Sequence, residues 1–365
     1  MISSRPLGRT GIRVSELCLG TLNFGWNLNE ARSFAVLDAY YALGGRLIQA
    51  AGHTAEGILP AAATYQSEEI VGRWMKARCI PRSEIFLSTR ISLRLSSEEV
   101  ESGERGLRDV LKERCVESLR RFATERIDTV IFEWSEGCAH GEALLDAWSD
   151  LVRDGLVRYV GTSRYPTWRV ADAIGQTYRK NLSRMEVLQA NYSLMNRARF
   201  EPDMRSLCED QRLGFFATSP LAGGFLAKSS RPTPALRSSR HRWLGERFGN
   251  AYGQVGTAAV AQVAQKRGLN PAQVALAWVL NHPQVTSAVV GVGTPGQLKE
   301  LAAASAITLE HEDRVLLARA SSAEEITLGR RGGMPGFRPP PLRMESPVEL
   351  PRFRAQEGMP LLRRR

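Results

Sequence analysis

Four polar residues, Gln49, Arg90, Glu133 and Arg164, lie at or near the ends of apolar runs of strand length. A carboxylate can act as a general base, and the planar, permanently charged guanidinium of arginine binds carboxylate or phosphate groups. If Arg90 and Glu133 end adjacent strands, we expect them to form a direct ion pair. This pair would suit proton abstraction next to a carbonyl, elimination or isomerisation, but it can equally be a buried salt bridge without activity.

The apolar runs alternate with helix-length amphipathic segments from about residue 15 to 320, which is typical of βα repeats around a parallel sheet. The predicted strands are Glu16–Gly20, Arg46–Ala51, Ile85–Arg90, Thr129–Trp134, Val157–Ser163, Glu186–Tyr192, Phe215–Pro220 and Ser287–Val292. Ser67–Lys76 and Ala272–Leu280 are clear helix predictions. Eight such units fit closure into an α/β barrel of the (β/α)8 TIM type, whose chemistry lies at the C-terminal strand ends.

The two ends of the chain differ from this repeat. The first fifteen residues, with Gly8 and Gly11 in turns, predict a β-hairpin that caps the bottom of the barrel. The segment from Arg330 carries nine arginines against three glutamates, a balance of +6 within a net charge of +11, and seven prolines. We therefore predict a barrel over residues 1–320 and an extended or disordered basic, proline-rich tail over 321–365.

Composition narrows the function classes. No run of about 18 apolar residues is present, and the N-terminus lacks the apolar run of a signal peptide, so we expect a cytoplasmic protein without a membrane partner. The five cysteines are odd in number and form no C-x-x-C, which predicts neither a disulfide framework nor a metal site. The tail lacks the interleaved aromatic residues of a nucleic-acid platform, so nucleic acid is not expected as a partner.

Several motifs resemble the aldo-keto reductase family. The opening residues 5–11 (RPLGRTG) and 15–21 (SELCLGT) match, as do 67–74 (SEEIVGRW), 189–193 (QANYS), 219–224 (SPLAGG), 275–280 (ALAWVL) and Gly291 with Thr294-Pro295 and Gln297-Leu298. The resemblance implies a (β/α)8 barrel that binds NADP(H) without a Rossmann fold. It also implies hydride transfer to a carbonyl, with a tyrosine as proton donor, a lysine–aspartate pair that lowers its pKa, and a substrate-orienting histidine.

This chain departs from the family at all four of those catalytic positions. Gln49 stands in place of the aspartate, Thr54 in place of the tyrosine, Arg90 in place of the lysine and Glu133 in place of the histidine. Without a nearby cation that favours its anion, a phenol with a pKa near ~10 relays protons poorly at neutral pH. One alternative remains, because the loop after the second strand is long and Tyr65 can fold back into the position of the tyrosine.

Some of the positions that the family uses to bind its cofactor match in this chain, and others do not. By resemblance, the residues that match the family's cofactor site are Ser163, Gln189, Ser219, Leu221, Gly223, Gly291, Thr294, Gln297 and Glu300. Departures occur at Arg164, where an asparagine usually holds the nicotinamide carboxamide, and at Thr218, where an aromatic usually stacks on that ring. Further departures are Gly293, where a basic residue often meets the 2′-phosphate, and Leu301, where an asparagine usually meets adenine. NADP(H) binding is therefore expected to be weakened, and Arg164 can recruit a different anion.

Three functions remain open at this point. The first is a divergent family member that has lost ordinary carbonyl reduction and uses the pocket for other acid–base chemistry or for binding a small-molecule ligand. The second is an active NADP(H)-dependent reductase that uses Tyr65, and the third is a non-catalytic scaffold that contacts partners through its tail. His53 and His140, in strand-end loops, are further acid–base candidates, and Trp134 is a candidate for lining the ligand site.

Overall fold

The computed structural model of the 365-residue chain describes residues 1–52, 65–93, 103–134, 141–227 and 248–322. Thr54, His53 and His140 lie outside these ranges, as does the tail beyond Ser322. The fold, site and contacts below therefore concern the described ranges.

Eight parallel strands form a closed barrel, which confirms the predicted fold class. The barrel strands in chain order are β3 (Leu17–Gly20), β4 (Leu47–Ala51), β5 (Phe86–Ser92), β6 (Ile127–Glu133), β7 (Val157–Ser163), β8 (Met185–Asn191), β9 (Gly214–Thr218) and β10 (Ser287–Val290). Each strand pairs with the next along the chain, and β10 pairs with β3 to close the ring. Closure removes the exposed edges that an open sheet would leave.

Helices surround the barrel. They are α1 (Glu30–Ala42), α2 (Gln66–Ala77), α3 (Gly103–Phe122), α4 (Glu142–Arg153), α5 (Thr167–Lys180), α6 (Arg205–Asp210), α7 (Ala251–Arg267), α8 (Pro271–Leu280), α9 (Pro295–Ala302) and α10 (His311–Ala320). The two helices predicted with the clearest patterns are present as α2 and α8, each extended by one residue at its start. None of the helices in the described part of the chain is long and apolar enough to cross a membrane.

The core has two layers, because successive strand residues point alternately into the barrel and toward the helices. The larger cluster packs between strands and helices and includes the fully buried Trp74 and Trp148. A smaller cluster fills the lower lumen and consists of Leu7, Val14, Cys18, Leu47, Phe86, Ile131, Val187 and Phe216. The lower lumen is therefore a packed plug, which leaves the upper lumen for chemistry.

An N-terminal hairpin closes the bottom of the barrel, as predicted. Strands β1 (Ser4–Pro6) and β2 (Arg13–Ser15) pair antiparallel, and Leu7 in their connection belongs to the lumen plug. Gly8 has a φ of 52° and lies against the chain at Arg212, whose carbonyl oxygen would be 2.3 Å from an added Cβ. Burying Leu7 contributes about 1.5–3 kcal/mol to the free energy of unfolding.

Candidate active site at the barrel mouth

A layer of polar side chains lies directly above the apolar plug. Residues two or four positions after the plug residues face the same side of their strands, so Gln49, Ser88, Arg90, Glu133 and Gln189 all point into the upper lumen. The sequence brings these residues together by a simple repeat, in which each strand begins with an apolar inward residue and ends with a polar one. The predicted location of the site, at the C-terminal strand ends, follows from this arrangement.

An amide pair crosses the lumen. Gln49 Nε2 donates to Gln189 Oε1 at 2.7 Å and lies 3.3 Å from Ser88 Oγ. Both glutamines are almost completely buried. Gln49, which is predicted by resemblance to stand in place of the family's aspartate, is thus a neutral group that binds one of the predicted cofactor residues.

Glu133 forms an ion pair with Arg164. Glu133 Oε1 lies 2.9 Å from Arg164 Nε, and the Glu133 side chain is only 2% exposed whereas that of Arg164 is 47% exposed. The second carboxylate oxygen, Oε2, is buried and has no hydrogen-bond partner among the described residues. Arg164 has a φ of 64°, a left-handed conformation that asparagine adopts more readily than arginine.

The direct Arg90–Glu133 ion pair predicted from sequence is wrong. In the β5–β6 register Arg90 is opposite Ile131, and Glu133 is opposite Ser92. The Cα of Arg90 therefore lies two residues below that of Glu133, a rise of roughly 6.6 Å along the strand. The chain turns after β7 so that Arg164, and not Arg90, reaches the carboxylate.

Arg90 is partly buried and makes no hydrogen bond or ion pair with any described residue. Burial lowers the pKa of its guanidinium, the negative charge of Glu133 opposes that shift, and the positive charge of Arg164 adds to it. A third arginine, Arg199, donates from Nη2 to the carbonyl oxygen of Arg164 at 2.5 Å. Sequence analysis missed Arg199, because it follows β8 by several residues and no strand-end position marks it.

Tyr65, the alternative proton donor, is at the start of α2 with a φ of 72°. Its ring packs against the guanidinium of Arg121 in α3, with 4.2 Å between the ring centroid and the guanidinium carbon. Arg121 in turn donates from Nε to the buried carboxylate of Glu68 at 2.6 Å. The tyrosine ring therefore takes part in the packing between α2 and α3.

Trp134 also differs from expectation. It lies one position after the inward-facing Glu133, so its side chain points toward the helices, where it packs on Tyr165 at 5.9 Å between ring centroids. The expectation that Trp134 lines the ligand site is thus wrong, because strand alternation places it on the outer face of the barrel.

The nicotinamide end of the family's cofactor site does not fit that group here. Gln189 is bound by Gln49, and Arg164, in the usual asparagine position, is bound to Glu133. Thr218, in place of the stacking aromatic, donates its hydroxyl to Asn191 Oδ1 at 2.8 Å. Ser163 remains buried next to Gln189 in the strand register. Of these four residues, Gln189, Arg164 and Thr218 are hydrogen-bonded or ion-paired to neighbours or lack the chemistry that the nicotinamide ring requires.

The loop after β9 keeps an unusual backbone. Ser219 and Ala222 have positive φ values of 53° and 48° without being glycine, and Gly223 follows at 71°. Non-glycine residues in this conformation cost about 1–3 kcal/mol each and are typical of functional loops. Ser219 is exposed and Leu221 is partly buried in this turn, so three of the predicted cofactor residues, Ser219, Leu221 and Gly223, lie in one loop.

The predicted adenine end is the start of α9. Thr294 caps the helix by accepting from Gln297 N, and Gln297 Oε1 accepts from Gly293 N at 2.8 Å. Gly291 precedes this turn and Glu300 lies in the helix, where its carbonyl oxygen accepts from Gln273. Arg32 of α1 donates to the carbonyl oxygen of Gly293 at 3.4 Å. A guanidinium therefore lies near position 293, although the residue there is glycine.

No group of three or more potential metal-ligating side chains occurs in the described ranges. The structure describes one carboxylate and three guanidinium groups at the mouth, and this set can bind an anion and accept a proton.

Known proteins that are similar in sequence support the barrel fold and the order of motifs along the chain. The sequence pattern described as the aldo/keto reductase family matches residues 16–320. The oxidoreductase YrpG of Bacillus subtilis is 30% identical over 309 residues, covering 84% of this chain and 92% of that protein. The aldo-keto reductase dtxS3 of Metarhizium robertsii is 28% identical over 342 residues (85% and 89%), and the norsolorinic acid reductase of Aspergillus flavus is 28% identical over 321 residues (83% and 76%). The match over most of its length, on a closed eight-stranded barrel, places this chain in the aldo/keto reductase family.

Proposed function

We propose that this barrel binds a small molecule at its mouth and uses Glu133 for acid–base chemistry that does not transfer a hydride. The observation that carries the proposal is the state of the Glu133 carboxylate. One of its oxygens is held by Arg164, and the other is buried, faces the upper lumen and has no partner among the described residues. A buried acceptor without a partner is costly, and functional sites are where such groups are retained.

The chemistry this site suits is proton abstraction next to a carbonyl group. Glu133 Oε2 takes the proton from carbon, the C–H electron pair becomes the new C=C bond, and the π pair of the carbonyl moves onto its oxygen to give an enolate. Arg90, whose charge has no bound partner in the described ranges, stabilises the developing negative charge. Return of the proton to the same or a neighbouring carbon completes an exchange or an isomerisation. No external electron donor or acceptor is needed.

The active-reductase alternative, with Tyr65 as donor, is less well supported. It requires the phenol at the barrel mouth, whereas the Tyr65 ring packs on Arg121 between α2 and α3. It also requires a place for the nicotinamide, whereas Gln189 is bound by Gln49 and Arg164 is bound to Glu133. We therefore propose that NADP(H) binds weakly, through the loop after β9 and the start of α9.

The test combines a cofactor titration with an exchange measurement. NADPH fluorescence should report weak binding, and generic aldehydes such as 4-nitrobenzaldehyde should not be reduced. In heavy water, NMR should detect deuterium entering the carbon next to the carbonyl of small keto acids, and E133Q should abolish this entry. Tight NADPH binding with aldehyde turnover in the wild type would establish the reductase instead. Absence of exchange with every keto acid would leave the non-catalytic scaffold.

A further inference from the structure

The barrel mouth carries an excess of positive charge. Arg164 is joined to Glu133, Arg199 donates to the backbone of Arg164, and Arg90 lies within electrostatic range of both Glu133 and Arg164. Among the described residues, the three cations and one anion of this cluster sum to a formal charge of +2. Neighbouring like charges repel one another, and a bound anion relieves that repulsion.

Two groups in the cluster lack the contacts that buried polar groups normally have. The Arg90 side chain, which carries five N–H donors, reaches no acceptor among the described residues. Glu133 Oε2 is an acceptor without a donor. Within the described part of the chain, one donor fork and one acceptor in this cluster are thus without a hydrogen-bond partner.

The space available is limited from below. Gln49 and Gln189 join across the lumen, and Gln49 is opposite Ser88, two residues below Arg90. A ligand must therefore lie above the amide pair, among the arginines, and it must be small.

We propose that this site binds a small organic anion, with its carboxylate or phosphate group held by Arg90 and Arg164 and its neighbouring O–H or acidic C–H group facing Glu133 Oε2. The inference deepens the proposed function, because it names the ligand class of the same site. It does not depend on catalysis, since the arginines bind the anion whether or not Glu133 removes a proton. Arg199 is a positioning residue, because it contacts the backbone of Arg164 and not the anion.

Isothermal titration calorimetry of the full chain with malonate, dimethyl malonate and inorganic phosphate tests this inference. Malonate should bind with an affinity that falls as salt rises, and dimethyl malonate, which has the same carbon skeleton without charge, should not bind. R90Q should weaken malonate binding at least about tenfold, as expected for loss of a charge-assisted hydrogen bond. R90K, which keeps the charge but not the fork, should recover part of that loss.

The matched control is R158Q. Arg158 is exposed at the start of β7, at the opposite end of the barrel, where it packs on Tyr159. R158Q removes the same net charge as R90Q, so it should change malonate affinity by no more than about twofold if binding is local. Because Arg90 has no partner in the described ranges, R90Q is not expected to impair folding, and circular dichroism checks this.

E133Q separates the inference from the proposed function. Glu133 is the one negative charge that the described residues contribute to the cluster, so E133Q should bind malonate as tightly as the wild type or more tightly, while it abolishes proton exchange. Anion binding without exchange in the wild type would retain the inference and reject the proposed chemistry. Phosphate binding without malonate binding would assign the group as a phosphate. Equal malonate affinities for R90Q, R158Q and the wild type, or no binding of either anion, would overturn the inference.

Discussion

The amide pair across the lumen gives a quantitative test of how this site is built. Replacing Gln49 by methionine keeps a similar side-chain volume and removes the donor, which leaves Gln189 Oε1 buried without its 2.7 Å hydrogen bond. A buried polar group that loses its partner destabilises a protein by about 1–3 kcal/mol. We therefore expect Q49M to lower the free energy of unfolding by about 2 kcal/mol.

The reciprocal change should cost less. In Q189M the amide of Gln49 still has Ser88 Oγ at 3.3 Å, so about 1 kcal/mol is expected. The double variant Q49M/Q189M removes both amides and leaves no unmatched polar group in the pair. Its stability should therefore lie close to that of the wild type, with a coupling energy of about 1–3 kcal/mol between the two positions.

Urea unfolding followed by tryptophan fluorescence measures these values, provided that the m-value stays constant among the four proteins. Additive single effects, with a coupling below about 0.5 kcal/mol, would refute the claim that the two side chains depend on each other. A second readout is NADPH affinity. If Gln49 sequesters Gln189, Q49M should improve NADPH binding about fivefold, which corresponds to one hydrogen bond of about 1 kcal/mol.

Two other predictions concern packing and pH. In Gly72→Ala a new Cβ would lie 2.7 Å from backbone carbonyl oxygens of α3, so the melting temperature should fall. Gly175 lies in an open position of α5, where a new Cβ would be 3.4 Å from its nearest neighbour. Gly175→Ala should therefore be neutral or stabilising by up to about 1 kcal/mol. Burial raises the pKa of the Asp313 carboxyl, but hydrogen bonds from Lys266 and Arg267 outweigh it and leave that pKa below its usual value. A carboxyl group whose pKa is lowered on folding stabilises the protein at pH values above the unfolded-state pKa of about 3.9, and this stabilisation is lost as pH falls through the folded value. The wild type should therefore be more stable than D313N near neutral pH, and this difference should shrink below about pH 4. Urea unfolding measures it.

The fold could be predicted from sequence because apolar runs and amphipathic segments alternate eight times. The observed strand ends differ from the predicted ones by one or two residues where a polar residue belongs to the strand. β6 begins at Ile127, two residues earlier than predicted, because Asp128 accepts from Leu87 N at 2.8 Å and pairs with Arg82. β9 ends at Thr218, because Ser219 turns into a left-handed conformation.

The site was predicted in its location but not in its pairing. Arg90, Glu133 and Gln189 lie at the strand ends that sequence indicates, yet the partner of Glu133 depends on strand stagger and on the turn after β7. Neither the stagger of the strands nor the course of that turn can be read from the order of apolar and polar residues. The contact of Tyr65 with Arg121 had no signal either, because it joins residues 56 positions apart through helix packing.

We propose to treat Gln49, Arg90 and Glu133, the described positions at which the sequence predicts replacement of family residues, as one change. An aspartate at position 49 carries no N–H, so it could not donate the hydrogen bond that Gln49 gives to Gln189 Oε1. With glutamine there, the amide pair closes the lumen, and no carboxylate remains below Arg90 to neutralise it. The negative charge of the mouth has instead moved to Glu133, which binds Arg164 and leaves Arg90 free of any partner in the described ranges. Gln49 and Glu133 should therefore act together, and Q49D should weaken malonate binding by offering Arg90 an internal anion.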